Sequence, residues 1–263
     1  MLAMERQNRI LDVLRRDKAV NVATLSQELS VSQMTIRRDL LKLEQAGLLT
    51  RTFGGAVVSH DFLTLQLSFD EKETVNAQEK TRIGQEAARL IQDGETVGIS
   101  AGTTTHQLVT HIPEDRHLTV VTNAINIAMR LANRPNIKLL VPGGVLLERS
   151  FALTGPFAEA MFTQIRLNKL FLGATGVNFE HGVTTLDLLE ASLYQAMMKV
   201  AEEVIVVADH SKFGRVTLAP IAGIGEVSKI VTDDRTAPNY IQQLEDGGVE
   251  VILAKMEGRE AAE

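Results

Sequence analysis

Two groups of polar residues in this chain have types and spacings that do recognisable chemistry. The first is Ser32-Gln33-Met34-Thr35-Ile36-Arg37-Arg38, a hydroxyl followed by an amide, a second hydroxyl and two guanidinium groups. On the outer face of a helix N-terminus, Arg pairs bidentately with guanine and Gln with adenine in a DNA major groove, while free helix amides attract phosphate. The second group recurs after apolar runs: Ser100-Ala101-Gly102-Thr103-Thr104-Thr105, Thr122-Asn123, Pro142-Gly143-Gly144 and Gly173-Ala174-Thr175-Gly176, with Lys212 further on. Glycine lets backbone approach a ligand, hydroxyls donate to it, and a helix that opens beside them adds a positive dipole. That combination suits a phosphate group, with Lys212 as an extra cation.

The elements that must position the first group are legible in the apolar periodicity. Residues 4–16 place Ile10, Val13 and Leu14, with Leu11 beside them, on a stripe of helical spacing. A short helix over 22–29 follows, capped by Asn21, with Leu25 and Leu29 inward. Ser30-Val31 makes a tight turn, and Ser32 caps a third helix over 33–45 that Gly47 is expected to end. Its Ile36, Leu40 and Leu43 face inward, which leaves Gln33, Thr35, Arg37 and Arg38 outward; Met34 either joins them or packs. Residues 48–58 read as a hairpin turning at Gly54-Gly55. This is a winged helix-turn-helix, with Arg51 and the backbone of Gly54 and Gly55 forming a wing against the DNA backbone.

The second group belongs to an α/β domain. A helix over 71–92 leads into strand-like runs at 96–99, 118–122, 137–141, 169–172, 204–208, 229–232 and 249–253. Helices are expected between them at 104–111, 124–132, 157–164, 186–201 and 237–246. Continuous β-branched runs separated by helices predict a mostly parallel sheet covered on both faces. The polar loops then line its C-terminal edge, where open α/β folds place ligands. The predicted organisation is a DNA-binding domain over 1–58, a linker over 59–76 and an α/β domain over 77–263.

Composition narrows the classes. The 263 residues contain no cysteine, which excludes disulfide scaffolds, thiolate metal sites and a cysteine nucleophile. The six histidines form no metal-spaced pair, so neither a metal nor another cofactor is expected. Residues 1–57 hold nine basic against six acidic side chains, and the remainder 18 against 27, so a basic head sits on an acidic body. With no signal-peptide pattern and no apolar run near bilayer length, a cytoplasmic location away from membranes is expected. His106 reads as a packing or surface residue, Asp187 and Glu190 as charges at a helix start, and Asp209 as a group that orients Lys212 or caps a turn.

The motifs Val31-Ser32-x-x-Thr35-Ile36-Arg37-Arg38-Asp39-Leu40, Leu43-Glu44-x-x-Gly47 and Arg51-x-x-Gly54-Gly55-Ala56 resemble the DeoR family of bacterial transcriptional regulators. The resemblance continues through Gly102-Thr103-Thr104-Thr105, Val121-Thr122-Asn123, Gly143-Gly144, Gly182-Val183-Thr184 and Asp209-His210-Ser211-Lys212-Phe213-Gly214. It implies a repressor of a carbohydrate operon whose C-terminal domain binds a phosphorylated sugar and thereby releases operator DNA. Residues 103–105 and Lys212 are then expected at the phosphate, with Asn123 and Thr175 facing the sugar. The segments 173–176 and 208–212 are also similar to ribose-5-phosphate isomerase, but Thr175 stands at that enzyme family's acidic catalytic position. Its catalytic glutamate aligns with Tyr194, or with Glu190 if a short gap is allowed. Thr175 and Tyr194 cannot act as carboxylate bases, so binding without conversion is expected. An isomerase-like enzyme with an appended DNA-binding head is the alternative. A single head covers too little DNA for tight specific binding, which predicts a homo-oligomer assembled through residues 75–263.

Overall fold

The computed structural model describes residues 3–45, 49–58 and 67–255; Gly47, the expected helix stop, lies outside them. Contacts divide the chain into two units, Met1–Leu67 and Ser68–Glu263.

The first unit contains α1 (Ala3–Asp17), β1 (Ala19–Asn21), α2 (Val22–Glu28), α3 (Gln33–Gln45), β2 (Leu49–Thr52) and β3 (Gly55–Val58). Ile10, Leu11 and Leu14 of α1, Val22, Leu25 and Leu29, and Ile36, Leu40 and Leu43 of α3 are all buried, at the spacings that the periodicity predicts, with α3 packed on both α1 and α2. Val13 is only half-buried, at the edge of its stripe. Asn21 Oδ1 accepts from the Ala23 amide at 2.8 Å, and Ser32 Oγ from the Thr35 amide at 3.2 Å, so both expected caps form. Arg6 Nε donates to the buried Asp39 carboxylate at 2.5 Å, which fastens α1 to α3. The wing has a third strand that periodicity missed: β1 pairs antiparallel with β3, and Asn21 lies opposite Gly55. Three residues are too few to show a period, so this strand exists only through its partner. A side chain on Gly55 would lie 2.0 Å from the Val20 carbonyl oxygen, so glycine is required for that pairing.

The second unit opens with α4 (Phe69–Thr74) and α5 (Ala77–Arg89), so the single helix expected over 71–92 is in fact two. Ser68 and Glu71 form a reciprocal capping box at the start of α4. The break falls at Val75, which is extended, and Asn76, which is left-handed at φ 52°. Asn76 Nδ2 donates to Asp209 Oδ1 at 2.9 Å, a tertiary bond that helical periodicity cannot reveal. Because α4 packs in this unit, residues 69–74 of the expected linker are part of a folded element.

Seven parallel strands form the main sheet: β4 (Thr96–Ile99), β5 (Leu118–Thr122), β6 (Ile137–Leu140), β9 (Leu167–Gly173), β12 (Ala201–Val207), β14 (Lys229–Asp233) and β15 (Glu250–Ala254). Their order is β15-β14-β12-β9-β4-β5-β6. Side chains alternate between two cores, Leu170, Leu172 and Val206 entering one and Phe171, Ile205 and Val207 the other. Helices α6 (Thr103–Thr110), α7 (Ile125–Leu131), α8 (Pro156–Phe162), α9 (Leu188–Met198) and α10 (Pro238–Asp246) connect the strands. The remaining strands are local additions that the continuous-run pattern did not show. They are the hairpin of β7 (Val145–Leu147) and β8 (Ala152–Thr154), and the antiparallel trio of β10 (Gly176–Asn178), β11 (Gly182–Thr185) and β13 (Ala219–Ala222).

Strand order decides where a ligand can sit. From β4 the chain builds outward through β5 and β6, then returns to β9 on the other side and continues through β12, β14 and β15. The connections after β4 and β9 therefore leave in opposite directions, which makes their C-terminal ends the switch point at which open α/β sheets place ligands.

Candidate functional site

On the first unit, Gln33, Arg37 and Arg38 are exposed along one face of α3, Thr35 is half-buried, and Met34 points to solvent. The acids nearest in sequence are engaged elsewhere: Asp39 holds Arg6, and Glu44 holds Arg51 at 2.6 Å. Among the described residues no ion pair holds Arg37 or Arg38. Glu44 also accepts from the Arg51 amide at 2.9 Å, so one carboxylate ties the wing to α3. The arrangement presents two uncommitted guanidinium groups and an amide on a convex helix face, with the wing alongside.

On the second unit, the turn after β4 lies against the turn after β9. The Gly173 amide donates to Ser100 Oγ at 2.9 Å, and the Ser100 amide to the Phe171 carbonyl at 3.0 Å. A side chain on Gly173 would touch the Ala101 carbonyl oxygen at 3.3 Å, so glycine permits the two backbones to close. Asn123 Oδ1 accepts from the Ala101 amide at 3.0 Å, and Asn123 Nδ2 donates to the Leu153 carbonyl, which brings β8 to the same place. Thr105 Oγ1 donates to the Gly102 carbonyl at 2.9 Å, and Thr122 Oγ1 accepts from the Ala124 amide. Ser100, Thr105, Thr122 and Asn123, all expected as effector contacts, are thus fully buried and use their polar atoms to fasten the loops together.

Gly102, Thr103 and Thr104 stand differently. No side chain caps α6, whose first helical bond runs from the His106 amide to the Gly102 carbonyl, so the amides of Thr103, Thr104 and Thr105 keep their donors. Thr175 is half-buried beside Gly173, with its amide held by the Thr184 carbonyl. Gly143 and Gly144 are exposed at the end of β6; the atoms nearest a side chain at Gly144 belong to Thr154, which gives this glycine a role in the β7–β8 hairpin.

Lys212 is joined by two lysines that the loops did not suggest. Lys80 of α5 is buried and donates through Nζ to the Lys72 carbonyl. Burial pulls its pKa down to about 8, with Lys212 and Lys72 adding repulsion and Asp209 and Glu73 opposing. Lys72 and Lys212 are likewise lowered, first by burial and partly offset by Glu190 and Asp209 respectively. Asp209 is completely buried; burial opposes its charge, but Lys212, Ser211, Lys80 and Asn76 together hold its pKa below the ordinary value. Its Oδ1 accepts from Asn76 and from Ser211, and Oδ2 lies 3.8 Å from Lys212 Nζ. The expected orienting role of Asp209 therefore has its geometry, extended to α5 through Asn76.

Near Lys72, α9 contributes Glu190 and, one turn on, Tyr194. Asp187 caps this helix, accepting from the Leu189 amide at 2.8 Å. Glu190 has more than the helix-start role expected of it: burial raises its pKa, while bonds from Ser150 and Thr185 and the charge of Lys72 steady it. Tyr194 is buried, with its hydroxyl toward the Ala101 carbonyl at 3.5 Å. His106 packs edge-on against Phe69, with Nδ1 3.0 Å from Glu73. Glu190 and Tyr194 were singled out by their alignment with the isomerase family's catalytic glutamate; Lys72 and Lys80 had no sequence signal. Among the described residues no group of three or more His, Asp or Glu side chains is placed to hold a metal, and no helix is long and apolar enough to cross a membrane.

These two units match two known domains. Residues 6–62 match the DeoR-like helix-turn-helix domain, and residues 75–234 the DeoR C terminal sensor domain. The chain is 35% identical to the transcriptional regulator YulB of Bacillus subtilis, covering 98% of this chain and all of that one. It is 34% identical to the regulator GlpR of Haloferax volcanii over 96% and 98% of the two chains. It is 35% identical to the transcriptional repressor AccR of Agrobacterium fabrum over 88% and 90%. Among solved structures, ribose 5-phosphate isomerase A of Methanocaldococcus jannaschii is similar over 52% of this chain and 55% of its own, at 17% identity and a TM-score of 0.40. With a winged helix-turn-helix head ahead of a seven-stranded parallel sheet, the chain belongs to the DeoR family of DNA-binding transcriptional regulators.

Proposed function

We propose that this protein represses a carbohydrate-catabolism operon and leaves its operator when a phosphorylated sugar binds at the C-terminal ends of β4 and β9. The observation that carries this reading is that Lys72, Lys80 and Lys212 act on one another around Asp209, while α4 and α5, which carry two of them, pack against α6 and its uncapped N-terminus. A phosphate dianion there takes the α6 amides and the Thr103 and Thr104 hydroxyls as donors and relieves the mutual repulsion of buried lysines. Thr175 and Glu190 then meet sugar hydroxyls, Glu190 accepting through the face that its Ser150 and Thr185 bonds leave free. Ser100, Thr105, Thr122 and Asn123 hold the loops in register. Ser32, Gln33, Thr35, Arg37, Arg38, Arg51, Gly54 and Gly55 meet operator DNA, paired in a homo-oligomer built through residues 75–263.

Release needs a ligand that prefers the arrangement unable to bind DNA, and tenfold preference corresponds to about 1.4 kcal/mol. A thermal-shift screen of phosphorylated sugars against their free sugars tests this, since ligand at 100 times Kd adds about 2.7 kcal/mol to stability. Equal shifts from free and phosphorylated sugars, or no shift from any, would overturn the reading. The isomerase alternative has Glu190 in its favour, but Thr175 stands where that enzyme family carries an acid; conversion of an aldose phosphate followed by NMR would establish it.

A further inference from the structure

Phe53 is the sole aromatic residue among the first 58. It is also the most exposed of the large apolar side chains in the described residues, and lies at the tip of the β2–β3 turn. The turn is rigid around it. Gly54 is left-handed at φ 94°, its carbonyl accepts from the Val22 amide at 2.9 Å, and Gly55 is pressed against the Val20 carbonyl. Arg51, two residues before, is fixed to Glu44 through both its amide and its guanidinium group. The backbone is thus tied down on both sides of Phe53, and its ring stands wholly in solvent.

Phe53 shares a cleft of about 610 Å³ with Arg37, Leu40 and Glu44 of α3 and with Arg51 of the wing. On one wall Arg37 is uncommitted, while on the other Arg51 is paired with Glu44, so the cleft offers a phosphodiester strand one free guanidinium beside the wing backbone. If α3 lies in the major groove on one side of that strand, the wing tip reaches the minor groove on the other. An apolar side chain carried there by a stiff turn unstacks a deformable base step.

We infer that Phe53 is an apolar wedge, seated in the minor groove beside each half-site and opening one base step. The inference rests on the assignment of α3 to the major groove, and the test separates the two. The full chain is titrated against a 30-base-pair duplex chosen by the wild-type protein from a random library, with 2-aminopurine placed at successive steps flanking a half-site. Phe53→Ala is expected to weaken binding by roughly 10- to 100-fold and to abolish the rise in 2-aminopurine fluorescence at one flanking step. Phe53→Leu keeps most of both, and selection by Phe53→Ala shows relaxed preference for a TA or CA step at that position. Melting of each variant checks that the head remains folded. Wild-type affinity for Phe53→Ala, or unchanged fluorescence at every step in the wild-type complex, overturns the wedge. A change in oligomer size by light scattering with DNA binding intact also overturns it and assigns Phe53 to a protein contact. If Arg37→Ala binds the same duplex as wild type does, α3 is not the reading helix, and the failure lies with the parent assignment.

Discussion

Raising the pH above 8 should weaken effector binding while stabilising the empty protein. Lys80 is the reason. It is buried, and its pKa falls from 10.5 to about 8, chiefly through burial, with Lys212 and Lys72 adding to the fall and Asp209 and Glu73 opposing it. A sugar phosphate is already a dianion at this pH, since its second pKa is about 6. An anion beside Lys80 favours the charged form, so binding takes up a proton wherever free Lys80 is partly neutral. At pH 7 about nine-tenths of Lys80 is charged, and at pH 9 about one-tenth, so affinity should fall up to about tenfold between them. Stability runs the other way. Between about 8 and 10.5 the unfolded chain binds more protons at this site than the folded one, so unfolding free energy rises with pH across that window. The 2.5-unit difference is worth about 3 kcal/mol in all, present as a burial cost below pH 8 and relieved by pH 10.5. Calorimetric titration at pH 7, 8 and 9 in two buffers of different ionisation enthalpy measures affinity and proton uptake together. Thermal melts of the empty protein supply the other arm. Lys80→Met should remove both pH dependences. Constant affinity from pH 7 to 9, or proton release on binding, would refute the assignment of Lys80 to the anion site.

Arg37→Ala or Arg38→Ala should cost about 1–3 kcal/mol of base discrimination in operator titrations and leave the effector-induced melting shift unchanged. Thr104→Val, which keeps shape but deletes a donor, should hold DNA at effector concentrations that free the wild type in a gel-shift assay. Thr105→Val should instead lower the melting temperature of the second unit, because its hydroxyl is committed to the Gly102 carbonyl. Asp39→Ala should lower the melting temperature of the head by ~5 °C or more by stranding Arg6. Light scattering should give at least a dimer; a 28.8 kDa particle, free and on DNA, would contradict assembly through residues 75–263.

Local pattern determined the head almost completely. Ile36, Leu40 and Leu43 oriented α3, and their spacing put Arg37 and Arg38 on the solvent side before any contact was known. Asn21 and Ser32 announced the helix starts because a cap bonds within three residues of itself. The parallel sheet was legible for a related reason: strands buried on both faces must be apolar throughout, whatever their neighbours. Tertiary structure decided the rest. Strand order placed the turn after β4 against the turn after β9, and that order is set by pairing between residues some 70 positions apart. Asn76 ended a helix that periodicity would have continued, since its bond to Asp209 lies 133 residues away. Ser100, Thr105, Thr122 and Asn123 have the same side chains as ligand-binding residues, and only their partners reveal that they brace the loops. Lys72, Lys80 and Glu190 became a candidate site only when three separate helices and the β12 loop brought them within reach of one another. Spacing encodes what a residue does along its own helix or strand, whereas a charge's energy depends on burial and on every other charge nearby, and both are properties of the folded chain alone.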